Sequence, residues 1–167
     1  MSDMNNDDEI RKWHRWFAAD CNNRGWQLSE APTRSSAEDR QMLDAAHAAA
    51  FHWRKVGTEV HLARADMLLA HVHALLRHDA MAMHYARASF DAVTSRQSPD
   101  WEVAFAHAVL AHAASAANDA DLHARHYALA ERIGLALPNS EEREIFKATF
   151  SRIPPPAIAN TGVASDG

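Results

Sequence analysis

Residues 69–89 read LAHVHALLRHDAMAMHYARAS, and residues 110–130 read LAHAASAANDADLHARHYALA. Both stretches open Leu-Ala-His, cross a short polar break and arrive at His-Tyr-Ala. Before the break, Ala63, Ala65, Leu69, Ala70 and His71 match Ala104, Ala106, Leu110, Ala111 and His112 at a constant shift of 41 residues. After it, Ala82, His84, Tyr85, Ala86 and Ala88 match Ala124, His126, Tyr127, Ala128 and Ala130 at a shift of 42. The change of shift predicts one residue inserted at the second turn. A helix pair at 58–97 is therefore written again at 98–138. One amphipathic pair cannot bury its apolar side alone, so copies stack and bury it between them.

Working outward, the whole chain reads as helix. Alanine is abundant, and with leucine, methionine, arginine and glutamate it is a strong helix former. Five glycines and six prolines are few for a β-rich chain of 167 residues. No stretch alternates apolar and polar over a strand's length. Ile10, Trp13, Phe17 and Cys21 fall at helical spacing, with Trp16 beside them, and predict a first helix with that stripe inward, stopping at Asn22–Gly25. Ser35 and Glu38 make a capping box for a second helix that Gly57 ends. Helices follow from Thr58, Asp79, Ser98-Pro99, Asp119 and Asn139, each position a cap or first-turn signal. The expected architecture is all-α, about seven helices in stacked antiparallel hairpins forming a short α-solenoid. A disordered start at 1–8 precedes one helical domain over 9–152. The domain divides into pairs 9–56, 58–97 and 98–138 and a capping helix at 139–151, and residues 153–167 form a mobile tail.

The totals restrict function. Net charge is −5 with histidine neutral, which argues against nucleic acid as the partner, because phosphate binding rests on Lys and Arg. Cys21 is the one cysteine, so no disulfide forms within the chain and a reducing compartment is its natural home. There is no apolar run long enough to cross a membrane and no secretory signal at the start. These features predict a cytoplasmic protein with no membrane partner.

The stretch at 69–89 resembles a tetratricopeptide-type helical hairpin. Leu69-Ala70, Ala82 and Tyr85 fit that family's order of a large then a small residue, a short turn, then alanine and an aromatic. Leu110-Ala111, Ala124 and Tyr127 fit it again, and Pro99 and Pro138 stand where family units end. The resemblance spans about residues 58–138. The unit here is 41 or 42 residues, against about 34 in the family. The resemblance implies a concave inner surface built from the first helix of each pair. Arg64, Met67, His71, Phe105, Val109 and His112 would line it, and a protein or peptide would bind there. Self-association through an uncapped end of the stack, giving a homodimer, is a further expectation.

Catalytic chemistry has little support. There is no Gly-rich phosphate loop, no HExxH and no nucleophile with a base in register, so the chain reads as a non-enzyme without a cofactor. Ser98 and Ser140 read as helix caps, Cys21 as a structural thiol, and Trp13, Trp16, Trp53 and Trp101 as fillers of the core or of grooves between helices. Twelve histidines supply the rival reading, a helical metal-binding protein or metal-dependent enzyme. Asp119, His123 and His126 share one face at spacings of four and three, which suits a metal, although Asp119 also reads as a cap. The rival alternatively requires three or more of His47, His52, His71, His73, His107 and His112 in one cavity.

Overall fold

The structure, a computed structural model, describes residues 2–157. It contains seven α-helices: α1 (Ser2–Ser29), α2 (Ser36–Val56), α3 (Glu59–Leu75), α4 (Asp79–Thr94), α5 (Asp100–Ala116), α6 (Ala120–Leu135) and α7 (Ser140–Phe150). There is no strand among the described residues. Consecutive helices pair most extensively as α1 with α2, α3 with α4, and α5 with α6, giving three stacked antiparallel hairpins. The first helices form an inner row, α1 beside α3 beside α5, which α7 extends. The row curves until its ends touch: Arg152 Nη2 donates to the Glu30 carbonyl at 2.6 Å, and Thr149 Oγ1 donates to Glu30 Oε1 at 3.5 Å.

The duplicated hairpin is visible in the backbone. Arg77 and Asn118 both have φ 60°, the left-handed conformation that turns a helix end. Around them the hydrogen bonds repeat. His78 N donates to His73 O at 2.9 Å and Asp119 N to Ala114 O at 2.9 Å; Ala82 N donates to His78 O and His123 N to Asp119 O. Every one of these pairs is offset by 41, the separation of His71 from His112. The predicted insertion is therefore absent, and the shift stays at 41 through α4 and α6. Ala82 corresponds to His123, Ser89 to Ala130 and Val93 to Gly134, and all six are buried. The matches at 42 mislead because Ala88, Ala124 and Ala128 are exposed, where alanine reflects helix propensity rather than packing.

Helix α5 is buried on nearly every side and touches α3, α4, α6 and α7. An apolar helix surface without a polar face belongs in the middle of a stack. Ala104, Ala108, Ala111 and Ala113 let its neighbours close in. Two apolar clusters result, one around α3–α7 and one among α1, α2 and α3, and Trp26 and Tyr85 pack against both.

Four expectations change. α1 passes through Gly25 to Ser29 rather than stopping there. A Cβ at Gly25 would come within 2.8 Å of Leu68 Cδ2, so the glycine permits close approach of α1 and α3 and does not end a helix. α1 also begins at Ser2, inside the predicted disordered start; Asp7, Asp8 and Glu9 lie in its first turns, where acidic residues suit the helix dipole. The buried positions of α1 are Ala18, Gly25, Leu28 and Ser29, whereas Ile10, Trp13 and Phe17 are exposed, because α1 closes on Leu68 of α3 at Gly25, two to four turns beyond that apolar stripe. Finally, Ile153 is buried in the core and the Pro154 carbonyl pairs with His123 Nε2 at 2.9 Å, so the predicted tail starts as docked chain. Residue 1 and residues 158–167 of the predicted termini lie outside the described residues.

The predicted caps at Ser35, Asp119 and Asn139 form. Ser98 is not a cap: Pro99 occupies that position and Ser98 Oγ donates to Val93 O at 2.8 Å.

α6 and α7 close on each other at Gly134. A Cβ at Gly134 would collide with the ring of Phe146, which is fully buried between Phe105 and Phe150 and has no room to swing. Gly134→Ala therefore lowers stability, by about 1–3 kcal/mol of overpacking, even though alanine is the better helix former. Urea unfolding measures this; a stabilised variant would show that α7 is not seated as described.

Candidate functional site

The inner row encloses a cavity of about 400 Å³. Its floor is Met67 of α3 and Phe105 of α5, both nearly buried, with Trp26 of α1 as a wall. These residues meet for a periodic reason. Asn22 and Trp26 succeed one another at four-residue spacing on α1, with Glu30 following just past its end, as do Trp101 and Phe105 on α5, while Glu142, Ile145 and Thr149 follow at three and four on α7. Each helix thus presents one stripe to the same space. Arg64, Trp101 and Ile145 stand at the mouth, and Ile145 is 52% exposed.

Arg64 is held in place from two directions. Its Nε donates to Glu102 Oε1 at 2.8 Å, and its guanidinium lies 4.8 Å from the Trp101 ring centroid, a cation–π distance. Glu102 is fully buried and also accepts from Arg96 Nη1 at 3.0 Å. Burial alone would raise its carboxyl. The hydrogen bonds from Arg96 and Arg64 outweigh burial and hold it below the usual carboxylate range. The triad carries one net positive charge. No hydrogen bond from Arg64 Nη1 or Nη2 to a protein acceptor occurs among the described residues, which leaves a fixed donor fork at the mouth. Glu30 and Glu142 also line the cavity.

Of the six residues predicted for the concave surface, Arg64, Met67 and Phe105 line the cavity. Val109, His71 and His112 do not: all three are buried behind it. Trp26 stacks on His71 with centroids 5.5 Å apart and meets Phe105 edge-on at 5.9 Å. Trp26 is absent from the sequence reading, and Trp101, expected as a filler of the core or of a groove between helices, lines the cavity together with the α7 stripe. A first helix allowed to run through Gly25 would have placed Trp26 on the inner face.

The histidines pair with one another across helices. Nδ1 of His71 and Nδ1 of His112 lie 3.1 Å apart, those of His107 and His126 2.9 Å, and those of His14 and His52 2.7 Å. His73 reaches His47 at 3.2 Å and His78 at 3.1 Å. In each neutral pair one ring donates and the other accepts. The metal candidates separate: Asp119 Oδ1 accepts from Leu122 N at 3.0 Å as a cap, His123 turns to Pro154 and His126 to His107. The six histidines of the second metal set belong to separate pairs rather than to one cavity. Among the described residues, no group of three His, Cys, Asp or Glu is placed to hold a metal ion. Cys21 is half-buried, and burial, then Asp20, raises its thiol, the opposite of an activated nucleophile.

Neither a family model nor a curated protein nor a solved structure matches the chain. The geometry therefore carries the functional argument by itself.

The imidazole pairs set a pH dependence. Burial, then the neighbouring histidines, pushes His73 and His107 down to about 4. Burial, then His123 and Arg77, does the same for His112, and burial, then His112, holds His71 well below its ordinary 6.5. Unfolded histidines take up protons near pH 6.5, whereas folded His73, His107 and His112 do so only near 4, and His71 well below 6.5. Between those values the unfolded chain binds more protons, so stability is full above about pH 6.5 and falls as the pH drops towards 4. Glu102, lowered in the fold, adds to the loss below its ordinary 4.5. Thermal melts from pH 8 to 4 read this directly; a melting temperature flat across that window would contradict the buried, neutral pairs.

Proposed function

We propose that the chain is a non-catalytic interaction module, a tetratricopeptide-like stack whose inner cavity holds a bulky apolar side chain of a peptide or protein partner. The carrying observation is the cavity itself: an apolar floor of about 400 Å³, formed where four inner helices converge, with few polar groups at its mouth. Arg64, locked against Glu102 and Trp101, offers its Nη donors to the backbone carbonyls of a segment lying across the opening. Its fixed posture lowers the ordering cost of binding. The free thiol of Cys21 and the absence, among the described residues, of a helix long and apolar enough to cross a membrane fit a cytoplasmic setting for such a module. The overall negative charge speaks against nucleic acid as the partner.

Panning a random displayed peptide library against the protein tests this reading. Enriched peptides are expected to share one bulky apolar anchor. Ile145→Glu puts a charge at the cavity mouth on an already exposed position and should weaken their binding about tenfold or more without changing helical content. Peptides that bind the variant equally well, or a library that yields no enriched sequence, would overturn the reading.

A further inference from the structure

A second surface, distinct from the cavity, carries an unpartnered aromatic patch. Trp13 and Trp16 are each 55% exposed, Phe51 is 52% and Phe17 41%, and Ile10, one turn ahead of Trp13, is 45%. The rings form one contiguous group. Trp16 meets Phe17 edge-on at 5.0 Å, Trp13 lies 6.2 Å from Phe17, Phe17 stacks on His52 at 5.4 Å, and Phe51 adjoins His52 at 5.3 Å. At about 150–250 Å² per aromatic side chain, the four rings expose on the order of 400 Å². A stable protein interface takes roughly 800 Å² from each side, so the rings supply about half of one.

The backbone leaves the same region uncovered. His14 beside His52 and Arg24 beside Gln41 fix the antiparallel register of α1 on α2. In that register α2 ends, at Val56, opposite about residue 10, and the first turns of α1 reach beyond it. A projecting helix end is marginal in water unless something packs on it.

The charges around the patch select the occupant. Asp7, Asp8 and Glu9 precede the aromatic residues, and Arg11, Lys12 and Arg15 lie among them. We propose that this face is the contact between two copies of the chain, with α1 antiparallel to the partner's α1 across a twofold axis near Ile10. A twofold axis there reverses the helix, so Asp8 and Glu9 of each copy lie beside Lys12 and Trp13 of the other, and the projecting first turns of each copy run across the tryptophans of the other. Such a patch is self-complementary, as an isologous interface requires. A phosphate-bearing surface, whether membrane or nucleic acid, would meet three carboxylates at the same edge and is disfavoured.

Sedimentation equilibrium of the full chain across the micromolar range tests the proposal. The expected species has twice the 18.5 kDa chain mass. Trp13→Glu and Trp16→Glu, both at exposed positions, are each expected to give monomers with unchanged far-UV circular dichroism. A wild-type chain that stays monomeric throughout, or dimers that persist in both variants, would overturn it. Binding of monomeric wild-type chain to vesicles containing phosphatidylserine would also overturn it, by assigning the patch to a lipid surface. Peptide binding at the cavity is a separate readout: Trp13→Glu should leave it intact, so either reading can fail alone.

Discussion

The position of Trp26 is the constraint on which the rest of the structure depends. Its ring stacks on His71, meets Phe105 edge-on, and packs against both apolar clusters. Without it, the α1–α2 hairpin would meet the duplicated hairpins mainly through α3, and the inner row would have no wall on the α1 side. Trp26 reaches that position because α1 does not stop at Gly25. The missing Cβ lets α1 settle against Leu68, and the next residue is carried onto the inner face. One glycine thus acts through packing, and the fold, the cavity and the burial of His71 all follow.

The second constraint is the smallness of the inner helices. Ala70, Ala104, Ala108 and Ala111 bury little apolar surface each, yet they let α3 and α5 approach closely enough for equivalent residues of the two copies to touch. His71 and His112 are such equivalents, 41 residues apart in sequence and 3.1 Å apart at Nδ1. A polar group so deeply buried is tolerated when it finds a partner, and duplication of a histidine supplies one. The same logic holds Glu102, whose burial would be costly without Arg64 and Arg96. Because Arg64 is spent partly on Glu102 and partly on Trp101, it enters the cavity mouth as a fixed donor rather than a flexible one.

The hairpins, their caps and the duplication were legible in the sequence because they depend on local signals: Ser35 with Glu38, Asp119, Asn139, and the 41-residue echo. The tetratricopeptide-like resemblance put six residues on the inner face, of which Arg64, Met67 and Phe105 line the cavity while His71, Val109 and His112 are buried behind it. Three kinds of information were not local. The inward face of α1 could not be read from apolarity, since Ile10, Trp13 and Phe17 form the more apolar stripe while the helix buries Ala18, Gly25 and Leu28, and closes on α3 at Gly25. The register of α6 could not be read from Ala and His-Tyr identities, because several of the matching alanines are on the surface. The pairing of histidines depends on which helices become neighbours, and no spacing within one helix encodes that. The α7 stripe lines the cavity because the row curves far enough for Glu30 to meet Thr149 and Arg152.

The five tryptophans allow a direct measurement of the central claim, that the cavity between the inner helices is where a partner's side chain lodges. Trp26 and Trp101 line it, Trp13 and Trp16 lie in the exposed patch, and Trp53 stacks on His61. Nitrogen-15 NMR of the indole N–H signals, assigned by single Trp→Phe substitutions, would follow all five during titration with a library-selected peptide. The account predicts that the Trp26 and Trp101 signals move together along one binding curve while the other three stay in place. Movement of Trp13 and Trp16 with Trp26 and Trp101 unmoved would contradict it.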